Sequence, residues 1–463
     1  YKRQDKFNLG CRFEKYFIGN NLTELQEMTS MLNGSVHNYI EYAFDFASAG
    51  MYEEASQIMH IYMEGRTDVY PMAAYMLGYF ASRSGNEEVA RQWYQKAQSL
   101  SPDKCFPNRI DEINVLTDAM RMNPADYKAP YYLGNFWYAH RRYEEAISCW
   151  EKSVEINNQF PTALRNLSLA YYNKRNKKEE ARQLLEKAFE LDKTDSRIFM
   201  ELDQLYKKMG RAHVERLALL EEHLDLVEQR DDLCIERITL YNLLGDYEKA
   251  KDLISNRKFH PWEGGEGKVT GQYILCRVEL AKKAIKENRY SEAVALLKET
   301  EFYPHNLGEG KLSNAEENEV DYYKGIAYQK LGNDAESTKY LMKATQGSTE
   351  PQQAFYYNDQ QPDKIFYQGL AWRALGEENK ARSRFNKLID HGKKHLFDDC
   401  KIDYFAVSLP ELAIWEDNLN IRNQIHCYYV MALGYSGLGK EELAEEYYEK
   451  VKRLDVNKQV FRM

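Results

Sequence analysis

One stretch, Tyr127–Phe160, constrains the fold of this chain more than any other. Its 34 residues read YKAPYYLGNFWYAHRRYEEAISCWEKSVEINNQF. Tyr131, Leu133, Gly134 and Trp137 recur at helical spacing, and so do Ala146, Trp150 and Ser153 after a short polar break. The pattern predicts two antiparallel helices joined by a tight turn. Large side chains at Leu133, Trp137, Tyr143 and Trp150 fill the space between them. Small residues at Gly134, Ala146 and Ser153 let the backbones approach. One such pair leaves an apolar face open, so the pattern also predicts neighbours stacked against it.

This alternation of large and small residues over 34 positions resembles the tetratricopeptide repeat. The same spacing recurs along most of the chain. Phe46, Gly50, Tyr52 and Ala55 mark one pair, and Gly78, Gly85, Ala90 and Tyr94 the next. Residues 103–126 hold only a second helix. Pairs then begin at Tyr127 and Pro161, and a divergent one covers 195–230, with a long second helix expected after Gly210. Later pairs are marked by Gly245 and Ala250, by Tyr290 and Ala293, by Gly325 and Leu341, by Gly369 and Phe385, and by Gly439 and Ala444. The expectation is an all-α, right-handed superhelical solenoid of about ten TPR-like helix pairs. Residues 1–35 are read as N-terminal helices or a connection to something upstream, 36–230 as an N-terminal array, and 231–463 as a C-terminal array with long loops at 256–272, 301–317, 346–363 and 391–424.

Two of those loops share a pattern. FHPWEGGEGK (259–268) and FYPHNLGEGK (302–311) align without a gap, 43 residues apart, each following a second helix. Loops at equivalent points of successive pairs emerge on one edge, so they predict a rim carrying His260, Trp262, Glu263, Glu266, Lys268, His305, Glu309 and Lys311. Glycine lets backbone approach a partner, and charged and aromatic side chains supply contacts. The alternative reading packs these loops on the solenoid edge, with the glutamates capping helices. A third loop, QGSTEPQQAFYYNDQQPD (346–363), places Phe355, Tyr356 and Tyr357 side by side. These would stack on a ligand or anchor the loop. The fourth interruption contains KIDYFAVSLPELAIWEDNL, expected to form an extended piece and then a helix near Pro410, laying Trp415 on the last repeat.

The strings FHPWEGGEGK, FYPHNLGEGK, KIDYFAVSLPEL and IHCYYVMALGYSGLG (425–439) resemble the C-terminal half of a family of large bacterial proteins. The resemblance implies an N-terminal β-sandwich domain of the sugar-mutarotase type upstream of a repeat array. It also fits a chain that starts at Tyr1 rather than Met, as a piece of something longer. The function expected is an interaction scaffold that binds a protein, a peptide or its own upstream domain. The alternative is an accessory, site-completing part of a bacterial carbohydrate-active enzyme, with Glu263, Glu266 and Glu309 as loop carboxylates near a sugar.

Composition and motifs narrow the classes. The net charge of −9 is spread over 72 acidic and 63 basic residues, with no basic stripe for nucleic acid. The runs KRNKKEE (174–180) and HGKKH (391–395) read as solvated loops. No HExxH, GxSxG, Walker A or GxGxxG motif occurs, and GGEG (264–267) lacks the GK[ST] ending of a phosphate loop. No catalytic residue, cofactor or metal is expected. His391 and His395 are four apart, but no spacing fixes an acidic partner, and a chance pair outweighs a metal site. The seven cysteines are widely spaced without CxxC, which favours a reducing, cytoplasmic compartment over the periplasm. No apolar run is long enough to span a membrane.

Overall fold

The structure is a computed structural model of the whole chain, and it describes all residues except 1–4, 6, 20, 263, 314, 355–360, 402–413 and 460–463. The described residues form 24 α-helices and one short 3-10 turn, with no strand. They divide into two compact units, Tyr1–Asp192 and Lys193–Met463.

The first unit contains α1 (Leu9–Gly19), α2 (Leu22–Met31), α3 (Val36–Ser48), α4 (Tyr52–Met63), α5 (Pro71–Arg83), α6 (Glu87–Ser99), α7 (Asp111–Met122), α8 (Lys128–Ala139), α9 (Tyr143–Ile156), α10 (Pro161–Arg175) and α11 (Lys178–Leu191). The second contains α12 (Ser196–Lys208), α13 (His213–Glu222), α14 (Leu224–Val227), α15 (Asp231–Leu243), α16 (Tyr247–Asn256), α17 (Lys268–Lys286), α18 (Tyr290–Glu299), α19 (Asn318–Lys330), α20 (Asp334–Ala344), α21 (Pro362–Ala374), α22 (Glu378–His395), α23 (Leu419–Gly437) and α24 (Glu441–Leu454). Within each unit the helices pair as expected, from α3 onward in the first, where α7 is the single second helix.

The pairing rests on a repeated exchange of volume. A Cβ on Gly134 would stand 2.5 Å from Cδ1 of Trp150. The same holds for Gly78 against Tyr94 (2.5 Å), Gly325 against Leu341 (2.6 Å) and Gly369 against Cζ of Phe385 (2.7 Å). In each case a bulky side chain of the second helix lies where the first helix has none. The Trp150 indole N–H then donates to the Tyr131 carbonyl at 3.2 Å and to Asn135 Oδ1 at 3.1 Å, so burying the ring strands no donor. Ends are set locally. Proline occupies the first turn of α5, α10 and α21, where its missing N–H costs nothing. Asn86, Asp195, Asp246, Asn333 and Asn418 accept N–H groups of the helices they open.

Three local expectations are corrected. The long second helix after Gly210 is broken at His223, whose φ of −118° and ψ of 47° end α13 before α14 begins. HGKKH is no loop but the last turn of α22, held there because Gly392 lets α23 approach: a Cβ would meet the Cys427 carbonyl at 2.7 Å. Trp415, expected on the last repeat, is buried with its indole N–H donating to the Glu201 carbonyl of α12 at 3.2 Å. The helix expected near Pro410 lies outside the described residues.

Candidate functional site

The paired loops run from the end of α16 to α17 and from the end of α18 to α19, all within the second unit. Their backbones are joined. The Phe259 N–H donates to the Asn306 carbonyl at 2.7 Å, and the Asn306 side-chain amide donates to the carbonyls of Ile254 and Arg257, both at 2.8 Å. Gly308 follows the 3-10 turn His305–Leu307 with φ of 77° and passes so close that a Cβ would meet the Phe259 carbonyl oxygen at 2.7 Å. Only glycine fits both demands.

Glu309 crosses to the other loop. Its carboxylate accepts the Gly267 N–H at 3.1 Å and the Thr270 hydroxyl at 3.1 Å, so it caps α17 from outside that helix. Lys311 turns inward, donating to the Thr300 carbonyl at 2.8 Å and to Glu317 at 2.6 Å. Burial pushes the Glu317 carboxyl above its ordinary range, and Lys311 pulls against it. His260 is tied through Asp231, the first residue of α15, which accepts its backbone N–H at 2.8 Å and faces its Nδ1 at 3.0 Å. Burial raises the Asp231 carboxyl, but these bonds and the Arg257 guanidinium outweigh it and hold it below the usual range.

The remaining residues face outward. The Trp262 ring lies over Gly265 and is half-buried, Glu266, His305 and the His260 imidazole are exposed, and Lys268 is exposed by area although desolvation and then Lys207 lower the pKa of its ammonium. Glu263, Phe355 and Tyr356 lie outside the described residues. Three participants were absent from the sequence reading. Asn306 knits the loops together. Phe302 and Leu312 are apolar yet 79% and 66% exposed. Phe302 opens FYPHNLGEGK and Leu312 follows it, and these apolar residues at the two ends of one polar loop were the available signal. Nothing in the sequence marks Asn306 out. Among the described residues, no group of three or more His, Cys, Asp or Glu could hold a metal, and no helix is long and apolar enough to cross a membrane. His391 and His395 do share a face of α22, with ring centroids 4.5 Å apart.

Comparison with known proteins finds tetratricopeptide repeats at residues 73–104, 162–191 and 425–457, which correspond to α5–α6, α10–α11 and α23–α24. Among solved structures, the chain is similar to YrrB, described as a TPR protein with an unusual peptide-binding site, at 15% identity over 49% of this chain and 89% of that one, with a TM-score of 0.28. It is also similar to the TPR domain of P58(IPK), at 12% identity over 97% and 98% of the two chains, with a TM-score of 0.28. A thermophilic TPR protein of Thermus thermophilus, TTC0263, shares 18% identity over 44% of this chain and 98% of its own, with a TM-score of 0.25.

Proposed function

We propose that this chain is an interaction scaffold that binds a protein or peptide on the rim formed by the two GEGK loops. The upstream β-sandwich domain implied by the family resemblance is the first partner to test. The observation that carries this reading is a pair of loops tied backbone to backbone that still leave Phe302 79% exposed. Rigid loops lose little entropy on binding. An exposed aromatic on such a surface is an anchor in waiting. Trp262, His260, His305, Glu266 and Lys268 add flat and charged contacts. Glu309 and Lys311 serve the rim indirectly by holding the loops. The carbohydrate-active alternative gains nothing here, because Glu309, one of its carboxylates, is committed to Gly267 and Thr270.

A photo-crosslinking benzophenone side chain placed at position 302 in the native host tests the rim. The control is the same group at Val214, which is 64% exposed on α13. A discrete adduct at 302 that is missing at 214 is expected. Replacing Trp262 by alanine should then weaken that complex by about 2 kcal/mol or more. Equal background labelling at both positions would remove the rim from consideration.

A further inference from the structure

The segment Asp455–Gln459 follows α24, the last helix, yet it lies against helices that open the second unit. Three consecutive side chains reach three walls. The Asn457 amide donates to the Lys207 carbonyl of α12 at 3.0 Å, and its Oδ1 accepts from Arg216 of α13 at 3.1 Å. The Gln459 and Gln272 amides bond each other reciprocally at 3.1 Å, and Asn242 of α15 fixes Gln272 by donating to its Oε1 at 2.8 Å. Between them, Lys458 faces α21 and α23. Its ammonium stands 5.3 Å from the Tyr429 ring centroid. Burial lowers its pKa, and the carboxylates of Asp363 and then Asp455 oppose that shift.

The segment lacks the usual means of a structural tie. Its one apolar side chain, Val456, is 38% exposed, so hydrophobic burial holds it weakly. Among the described residues, its backbone N–H groups bond only Val451 and Asp455, so no backbone pairing joins it to the helices around it. What remains is recognition of side chains: an amide, a cation and an amide, each met by a matching group. Contacts of this kind pass readily to water. Water has room, because Val456, Lys458 and Gln459 wall one side of a cavity of about 330 Å³.

The walls also keep partners when the segment leaves. Arg216 retains Asp203 and Glu236, and Asp363 retains the charge of Lys364 beside it. An emptied cleft therefore strands no charge, which is what a site that opens and closes requires.

We propose that Asp455–Gln459 is an intramolecular ligand, seated in a cleft that reads an extended peptide as amide, cation, amide, and that a partner segment of the same chemistry displaces it. Tethered to α24, the segment acts at high effective concentration, so a free peptide meets a cleft that is already filled. Releasing the segment raises the apparent affinity for the free peptide in proportion to the fraction of chains it had closed. The inference is independent of the rim.

The test uses the full chain and a fluorescein-labelled peptide that carries residues 455–459 between glycine–serine spacers. Binding is read by polarisation. Lys458→Glu in the chain sets a second carboxylate against Asp363 and frees the segment. That variant should bind the peptide at least about tenfold more tightly than the unaltered chain. The same peptide with glutamate for its lysine should bind neither. In the unaltered chain, millimolar unlabelled peptide should speed hydrogen exchange at Asn457 and Lys458. A folded Lys458→Glu chain that binds no better than the unaltered one overturns the proposal. So does a glutamate peptide that binds as tightly as the lysine peptide, or exchange at 457 and 458 that the peptide leaves unchanged. The exchange measurement needs no variant, so it stands even if Lys458→Glu folds poorly.

Discussion

Gly134 and Trp150 divide one volume between them, and the division leaves no slack. Gly134→Ala would bring a Cβ to 2.5 Å from Cδ1 of a ring that is only 3% exposed. The ring cannot swing away without giving up its two acceptors. We expect a loss of about 1–3 kcal/mol, read from the midpoint of urea unfolding. An unchanged midpoint would show that the pair has room to relax. Arg216 is a second residue with no freedom. It is fully buried and binds Asp203 at 3.0 and 2.7 Å and Glu236 at 2.7 Å. Arg216→Met keeps much of the volume but strands a fully buried carboxylate and a second one beside it. A loss of about 3–5 kcal/mol is expected by the same measurement. A smaller loss would mean that Lys207, 2.9 Å from Glu236, carries the cluster alone.

At the scale of elements, α22 and α23 carry two histidines whose protonation opposes folding. His391 and His426 face each other with ring centroids 6.0 Å apart. Burial, then the neighbouring His395, draws His391 down to about 4, and burial, then Lys458, draws His426 down to about 3. Both are depressed below their ordinary 6.5, so the unfolded chain takes up these protons first. Stability from the neutral rings is therefore whole above about pH 6.5 and declines as pH falls towards 4 and 3. Urea midpoints should drop between about pH 7.5 and 5, and His426→Phe should flatten the slope. A slope that His426→Phe leaves intact would place the titration elsewhere. This cluster also shows where the sequence stops being informative. HGKKH is polar and reads as loop, and only the contact of Gly392 with α23 makes it helix. The helix pairs were legible because Gly78, Gly134, Gly325 and Gly369 each precede their bulky partner by sixteen residues, a local signal. The loop pair was legible as a pair through GEGK. Its wiring was not, because Asn306 to Ile254 and Glu309 to Gly267 depend on where two loops meet in space.

At the scale of the whole molecule, the two units differ in the reach of their contacts. In the second, Trp415 binds the Glu201 carbonyl, Lys208 pairs with Asp417, and Arg216 holds Asn457, 241 residues away in sequence. Stacked repeats joined only to their neighbours fray from an end. These contacts tie the first helices of this unit to its last ones. Hydrogen exchange should therefore report α12 and α13 as protected to the same degree as α23 and α24. Asn457→Ala should raise exchange in α12 and α13, although the substitution lies beyond α24. Unchanged exchange there would make the segment a passenger. The Arg216–Asn457 bond also has a consequence in time. A ribosome delivers Arg216 long before Asn457, so during synthesis the guanidinium has its carboxylates but lacks its amide, and water takes that place. The core around Arg216 is therefore finished only once translation has carried the chain past Asn457.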